Sequence, residues 1–243
     1  MRGTGGGKRQ IVAMGGGGFL MEPENPLLDQ YVLAQVSSPR PTVLYLPTAQ
    51  GDSYDSIARF HNAFERFECT PRVLTIFRPS WRRQCEDIET TILSSDLVYV
   101  AGGNTRAMLA VWREFGVDAV LRKAWERGIV LTGVSAGALC WFAEGHTDSD
   151  PRGLARMSCL GFLKGSFSCT FGDDPRRRPS YVELVRSGQM KPGYGVDTGA
   201  ALHFVDGELR KAVSSRRNAG ARLFSGDGGR LKESPVAVEY LGS

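Results

Sequence analysis

The chain has 243 residues, 42% of them hydrophobic and 23% charged, with a net charge of +4. A chain of this length buries roughly 70% or more of its unfolded surface, enough to fold without disulfide or metal staples. The mild charge, with one tight basic run at Arg176–Arg178 just beyond Asp173 and Asp174, lacks the broad basic face that nucleic-acid binding needs.

Five cysteines are scattered and odd in number, with no C-x-x-C pair. This argues against a disulfide framework and a structural zinc site, and fits a reducing, cytoplasmic compartment. No apolar run approaches the ~20 residues that span a bilayer. Residues 1–9 are glycine-rich and basic and read as a frayed tail ahead of a single domain spanning 1–243.

Apolar β-rich runs alternate with helical patterns, the signal for βαβ units around a mostly parallel sheet. Ile11–Met14 is the first strand and stops at Gly15–Gly18. A helix follows from about Asn25, then a strand at Val43–Leu46, a helix holding Ile57, Phe60 and Phe64, and a strand over Val73–Phe77. Cys85–Leu93 reads as a helix and Leu97–Val100 as a strand entering Ala101-Gly102-Gly103-Asn104. Helices near Ala107–Phe115 and Val117–Arg127 lead to a strand at Ile129–Thr132. Near-continuous Val/Ile/Leu strands imply a sheet covered on both faces, a three-layer α/β sandwich. Beyond about residue 145 the pattern loosens into short strands and hairpins, among them Ala201–Phe204 and Ala212–Val213.

The most informative segment is Gly133-Val134-Ser135-Ala136-Gly137, a G-x-S-x-G placed between a strand and a helical run through Ala138, Leu139, Trp141 and Phe142. In that context the serine sits on a sharp elbow as a candidate nucleophile. The N–H of Ala136 then faces an oxyanion forming on the substrate. Gly102 and Gly103 end the preceding strand at the same sheet edge and offer a second N–H donor, while Asn104 either binds substrate or caps the next helix. The Gly15–Gly18 run fits neither dinucleotide nor Walker spacing.

Five ordered segments carry a family resemblance: Met14–Gly18, Leu46–Ala49, Ala101–Thr105, Gly133–Ala138 and Asp197–Leu202. Together, over about residues 10–215, the chain resembles the dipeptidase E and cyanophycinase-like serine peptidases. The resemblance implies a class I glutamine-amidotransferase-like (flavodoxin-like) sandwich that cleaves short peptides with an N-terminal aspartate, without cofactor or metal. It implies Ser135 as nucleophile and the Gly102–Gly103 loop as part of the oxyanion hole. It also implies a histidine where this chain has Thr170 and an acid where it has Thr198.

No histidine lies between Thr147 and Leu202, and a serine without a base is a poor nucleophile. His146, two residues before Asp148, offers a relocated Ser135–His146–Asp148 set; a loop histidine is the plainer account. His61 reads as a surface residue and His203 as a strand residue. Three functions follow: an active hydrolase with a substitute base, a non-catalytic relative that binds a peptide or amino-acid derivative, and an acyl-transfer enzyme. Each expects a small peptide or amino-acid-derived ligand and neither nucleic acid nor membrane, and a homodimer stays open.

Overall fold

The computed structural model describes residues 7–77, 87–227 and 230–242. The first half alternates strand and helix. Strand β1 (Gln10–Met14) is followed by α1 (Gly18–Met21) and α2 (Leu27–Leu33); β2 (Thr42–Leu46) by α3 (Tyr54–Phe64); and β3 (Thr70–Val73) by α4 (Ile88–Leu93). Then come β4 (Leu97–Val100), α5 (Thr105–Phe115), α6 (Val117–Glu126), β5 (Val130–Val134) and α7 (Ala136–Leu139). The second half is mostly strand: β6 (Phe142–Asp150), β7 (Gly153–Ser158) and β8 (Leu163–Ser168), then α8 (Arg177–Arg186) and β9 (Gly193–Val196). It closes with β10 (Ala200–Val205), β11 (Glu208–Ser214), β12 (Ala221–Asp227), β13 (Arg230–Val236) and β14 (Glu239–Tyr240).

Eight strands form the main sheet in the order β14-β11-β10-β1-β5-β4-β2-β3. From β1 to β3 every pairing is parallel, whereas β10 joins β1 antiparallel, with Ala13 opposite Leu202. Successive strand residues face opposite sides, and the core divides accordingly. Ile11, Ala13, Leu44, Leu46, Val98, Val100 and Leu131 pack with Met108, Trp112, Leu121 and Trp125 of α5 and α6. Val12, Met14, Val43, Tyr45, Leu97, Tyr99 and Val130 pack with Phe19, Leu28, Val32, Phe60 and Phe64 of α1, α2 and α3. Helices therefore cover both faces, which makes the expected three-layer α/β sandwich.

Several expectations need correction. The strand expected at Val73–Phe77 ends at Val73, four residues earlier than its expected end. Of the helix expected from Cys85, residues 85 and 86 lie outside the described residues, and the described helix starts at Ile88. The elbow helix stops at Leu139, so Phe142 opens a strand instead of extending the helix. The loose C-terminal half contains a second sheet, β13-β12-β9-β8-β6-β7. Helix α8 packs on it through Tyr181 and Val185 against Phe171, Met190 and Phe224. No described helix is long and apolar enough to cross a membrane.

Candidate active site

The site forms where the carboxyl ends of β1, β4 and β5 meet. Strand β5 runs to Val134, and Ser135 then adopts φ 55°, ψ −112° before α7 begins at Ala136. A side-chain-bearing residue pays steric strain in such a conformation, on the order of 1–3 kcal/mol. Glycines make the turn possible: a Cβ on Gly133 would collide with the Gly137 carbonyl, and one on Gly137 with the Val100 carbonyl. The elbow expected at Ser135 is thus the observed backbone.

Gly102 lies directly beside the nucleophile candidate, since a Cβ there would stand 3.3 Å from the Ser135 Cβ. Gly103, at φ 138°, leaves no room for a Cβ against the Ala49 carbonyl. Asn104 is a cap: its Oδ1 accepts from the Ala107 N–H at 2.9 Å and opens α5. The Ala136 N–H, first in its helix, has no intrahelical acceptor.

The Gly15–Gly18 run is structural. Its carbonyl chain ties three segments together: the Ser135 N–H donates to Met14 O (3.1 Å), Thr170 N–H to Gly15 O (2.9 Å) and Gly199 N–H to Gly16 O (3.1 Å). A Cβ at Gly15 would strike the Val196 and Asp197 carbonyls, and one at Gly16 would strike Thr198. Close approach at Gly15 and Gly16 and positive φ at Gly17 and Gly18 account for the glycines.

Ser135 opens into a cleft of about 490 Å³ walled by Leu20, Met21, Gln50, Asp55, Arg59, Gly102 and Gly103, among others. Thr170 and Thr198 are not among its walls. Thr198 lines a separate depression of about 340 Å³ with Asp173, Asp197 and Arg216, and its N–H donates to Asp173 Oδ2 at 3.2 Å. Thr170 is half-buried at φ 45°. The side chain that faces the Ser135 hydroxyl is the buried Cys169, with Sγ 3.4 Å from Oγ. In the sequence Cys169 is marked only by its place next to Thr170, because which of two neighbouring turn residues faces Ser135 depends on the backbone.

The relocated Ser135–His146–Asp148 set is corrected. His146 lies in strand β6, fully buried, with Nδ1 2.9 Å from Ser168 Oγ and Nε2 3.0 Å from Ser180 Oγ. Both ring nitrogens are engaged, leaving neither for Ser135. Asp148 instead accepts from Arg177 Nη2 at 2.9 Å. His61 lies in α3, its ring edge-on to Phe60. His203 bonds Tyr31 and Gln10 at 2.9 and 3.0 Å. Among the described residues, no imidazole is bonded to the Ser135 hydroxyl.

Burial, reinforced by nearby Arg177, pushes His146 down to about 4; burial with Lys211 and Arg210 does the same to His203. Each imidazole is therefore neutral when folded but binds a proton below about 6.5 when unfolded. The resulting stability is complete above pH 6.5 and is lost as pH falls toward 4, by on the order of 3 kcal/mol per histidine. Denaturant unfolding at pH 7, 5.5 and 4 is expected to follow this decline. His203→Gln, which keeps polar partners for Tyr31 and Gln10, is expected to flatten it.

Comparisons with known proteins give the family and the fold. The family model described as peptidase family S51 covers residues 11–212. A Bacillus subtilis (strain 168) protein described as an uncharacterized peptidase, YgaJ, is 45% identical over 234 residues, covering 96% of this chain and all of the relative. A peptidase from an acI-B1 actinobacterium superposes with TM-score 0.72 at 16% identity, over 95% of this chain and 98% of its own. A structure titled as a peptidase E protein, from Listeria monocytogenes EGD-e, superposes with TM-score 0.61 at 18% identity, over 84% and 97%. These two share the fold. A family match over most of the chain, and a full-length relative at this identity, make the chain a member of peptidase family S51.

Proposed function

We propose that the chain is a serine-type hydrolase that cleaves short peptides or related amides through Ser135, slowly and without an imidazole relay. One observation carries this reading: Ser135 holds a strained elbow conformation in the wall of an open cleft. The Oγ attacks the substrate carbonyl carbon, and the N–H groups of Ala136 and of Gly102 or Gly103 take the charge developing on its oxygen. Collapse breaks the C–N bond and leaves an acyl-serine; the hydroxyl proton ends on the departing amine, and water then releases the acid. With no bonded base, the rate rests on the oxyanion donors and on positioning, which together supply ~10³–10⁴-fold over water. The scattered, odd-numbered cysteines support a reducing, cytoplasmic setting.

A second reading, non-catalytic binding of the same ligands, is favoured because, among the described residues, the Ser135 hydroxyl faces the Cys169 thiol instead of a ring nitrogen. The two are separated by mass spectrometry after exposure to a fluorophosphonate and to Asp-initiated dipeptide esters. An adduct on Ser135, absent from Ser135→Ala, supports the hydrolase. Saturable peptide binding with neither adduct nor product supports the binding protein.

A further inference from the structure

The polar face of α3 forms the cleft wall that has no counterpart in the oxyanion machinery. Ser53, Asp55, Ser56 and Arg59 line the same cleft as Ser135 and the Gly102–Gly103 loop. Helical spacing puts residues 55 and 59 on one face, while Phe60 and Phe64 of the same helix are buried in the core. The helix is thus anchored by its apolar side and offers its polar side to the cleft.

Among the described residues that line the cleft, Arg59 is the only cation and Asp55 the only anion. Their ion pair runs from Arg59 Nε to Asp55 Oδ2 at 2.9 Å, with the side chains 55% and 73% exposed. So open a pair between neighbouring turns is worth only a few tenths of a kcal/mol, so it holds the guanidinium in place and yields readily. Among the described residues Asp55 is the ion-pair partner of Arg59, and the Arg59 side chain stays 55% exposed. Guanidinium nitrogens offered in this way match a carboxylate bidentately. Apolar Leu20 and the 48%-exposed Met21 lie in the same wall and suit the aliphatic part of a short chain.

We infer that Arg59 is a specificity-determining residue: it takes a free carboxylate of a short peptide or amino-acid amide whose carbonyl lies at Ser135. The inference rests on the cleft being the substrate site proposed above, and it is independent of whether Ser135 turns substrate over. A carboxylate reaches Arg59 either from the substrate's C-terminus or from an acidic side chain, and the two sources are distinguishable.

The test is equilibrium binding by calorimetry, which needs no turnover. The ligands are Asp-Leu, its C-terminal amide, Asn-Leu and Asn-Leu amide, offered to the parent, Arg59→Met and Arg59→Lys. Loss of a charge-assisted bidentate contact is expected to weaken carboxylate ligands about 10-fold in Arg59→Met, with Arg59→Lys in between. Asn-Leu amide, which has no carboxylate, is expected to bind all three proteins alike. If the loss follows Asp-Leu amide the side chain is the ligand; if it follows Asn-Leu the C-terminus is. Equal affinities across the three proteins, an equal loss for all four ligands, or no binding to the parent at millimolar concentration overturns the assignment. A Ser135 adduct together with unchanged binding in Arg59→Met would sink this assignment while leaving the hydrolase reading intact. Arg59-dependent binding without an adduct would do the reverse.

Discussion

A chain carrying Thr170→His and Thr198→Glu is expected to hydrolyse Asp-initiated dipeptides ~10²–10³-fold faster than the parent, read as kcat/KM. Ser135 already has the elbow; among the described residues no base is bonded to its hydroxyl. A ring serves only if one nitrogen comes within ~3 Å of Oγ, and that nitrogen lies well beyond the Cβ of its own residue. Position 169 is too close for this. The Cys169 sulfur, one bond past Cβ, is already 3.4 Å from Oγ, so a ring there overshoots and collides. Position 170 is one residue farther along the turn, and its N–H is tied to Gly15 while Ser135 is tied to Met14. The 3.4 Å contact between Cys169 and Ser135 already brings the two segments side by side. Gly199, the neighbour of Thr198, makes the next tie, to Gly16 O, so an acid at 198 helps only if its longer side chain reaches back over Gly16 from the depression that Thr198 lines. Thr170→His alone should give part of the gain and Cys169→His none. Adding Ser135→Ala to the double variant should remove the gain entirely; a gain that survives would mean the new histidine activates water instead of the serine.

The parallel half of the fold was legible because its strands, such as Val43–Leu46 and Leu97–Val100, are buried on both faces and so read as unbroken apolar runs. The elbow was legible because steric crowding restricts the positions beside Ser135 to small residues. The second sheet was not. Strand β7 reads Gly-Leu-Ala-Arg-Met-Ser and is half-exposed, and β13 carries Pro235, so neither shows the alternation or apolar density that marks a strand. His146 was misplaced for a related reason. It is buried among hydroxyls of Ser168 and Ser180, and a polar residue satisfied by polar partners looks like a loop residue in sequence. The Arg59 wall was hidden differently. A charged face on an amphipathic helix has the same pattern whether it meets bulk solvent or a cleft, and only the fold brings α3 beside Ser135.

Ser135→Gly is expected to stabilise the protein by about 1–2 kcal/mol while removing every Ser135 adduct. At φ 55°, ψ −112° the serine Cβ is held against the backbone, at an expense of roughly 1–3 kcal/mol that glycine escapes. Glycine's freer unfolded chain takes back about 0.5–1 kcal/mol. Ser135→Ala keeps the Cβ and the strain, so its unfolding midpoint should stay close to the parent's although its chemistry is equally lost. Comparing the two variants by denaturant unfolding separates backbone strain from the hydroxyl's own contact with Cys169. If Ser135→Gly proves less stable than Ser135→Ala, the elbow is relaxed and loses its force as evidence for a nucleophile. If it proves more stable, the turn stores strain that folding alone does not require. Close backbone contacts hold Gly133 and Gly137 to a hydrogen side chain, whereas Ser135 carries its Cβ in the same crowded turn at a positive φ, and the two variants read the strain of that difference directly.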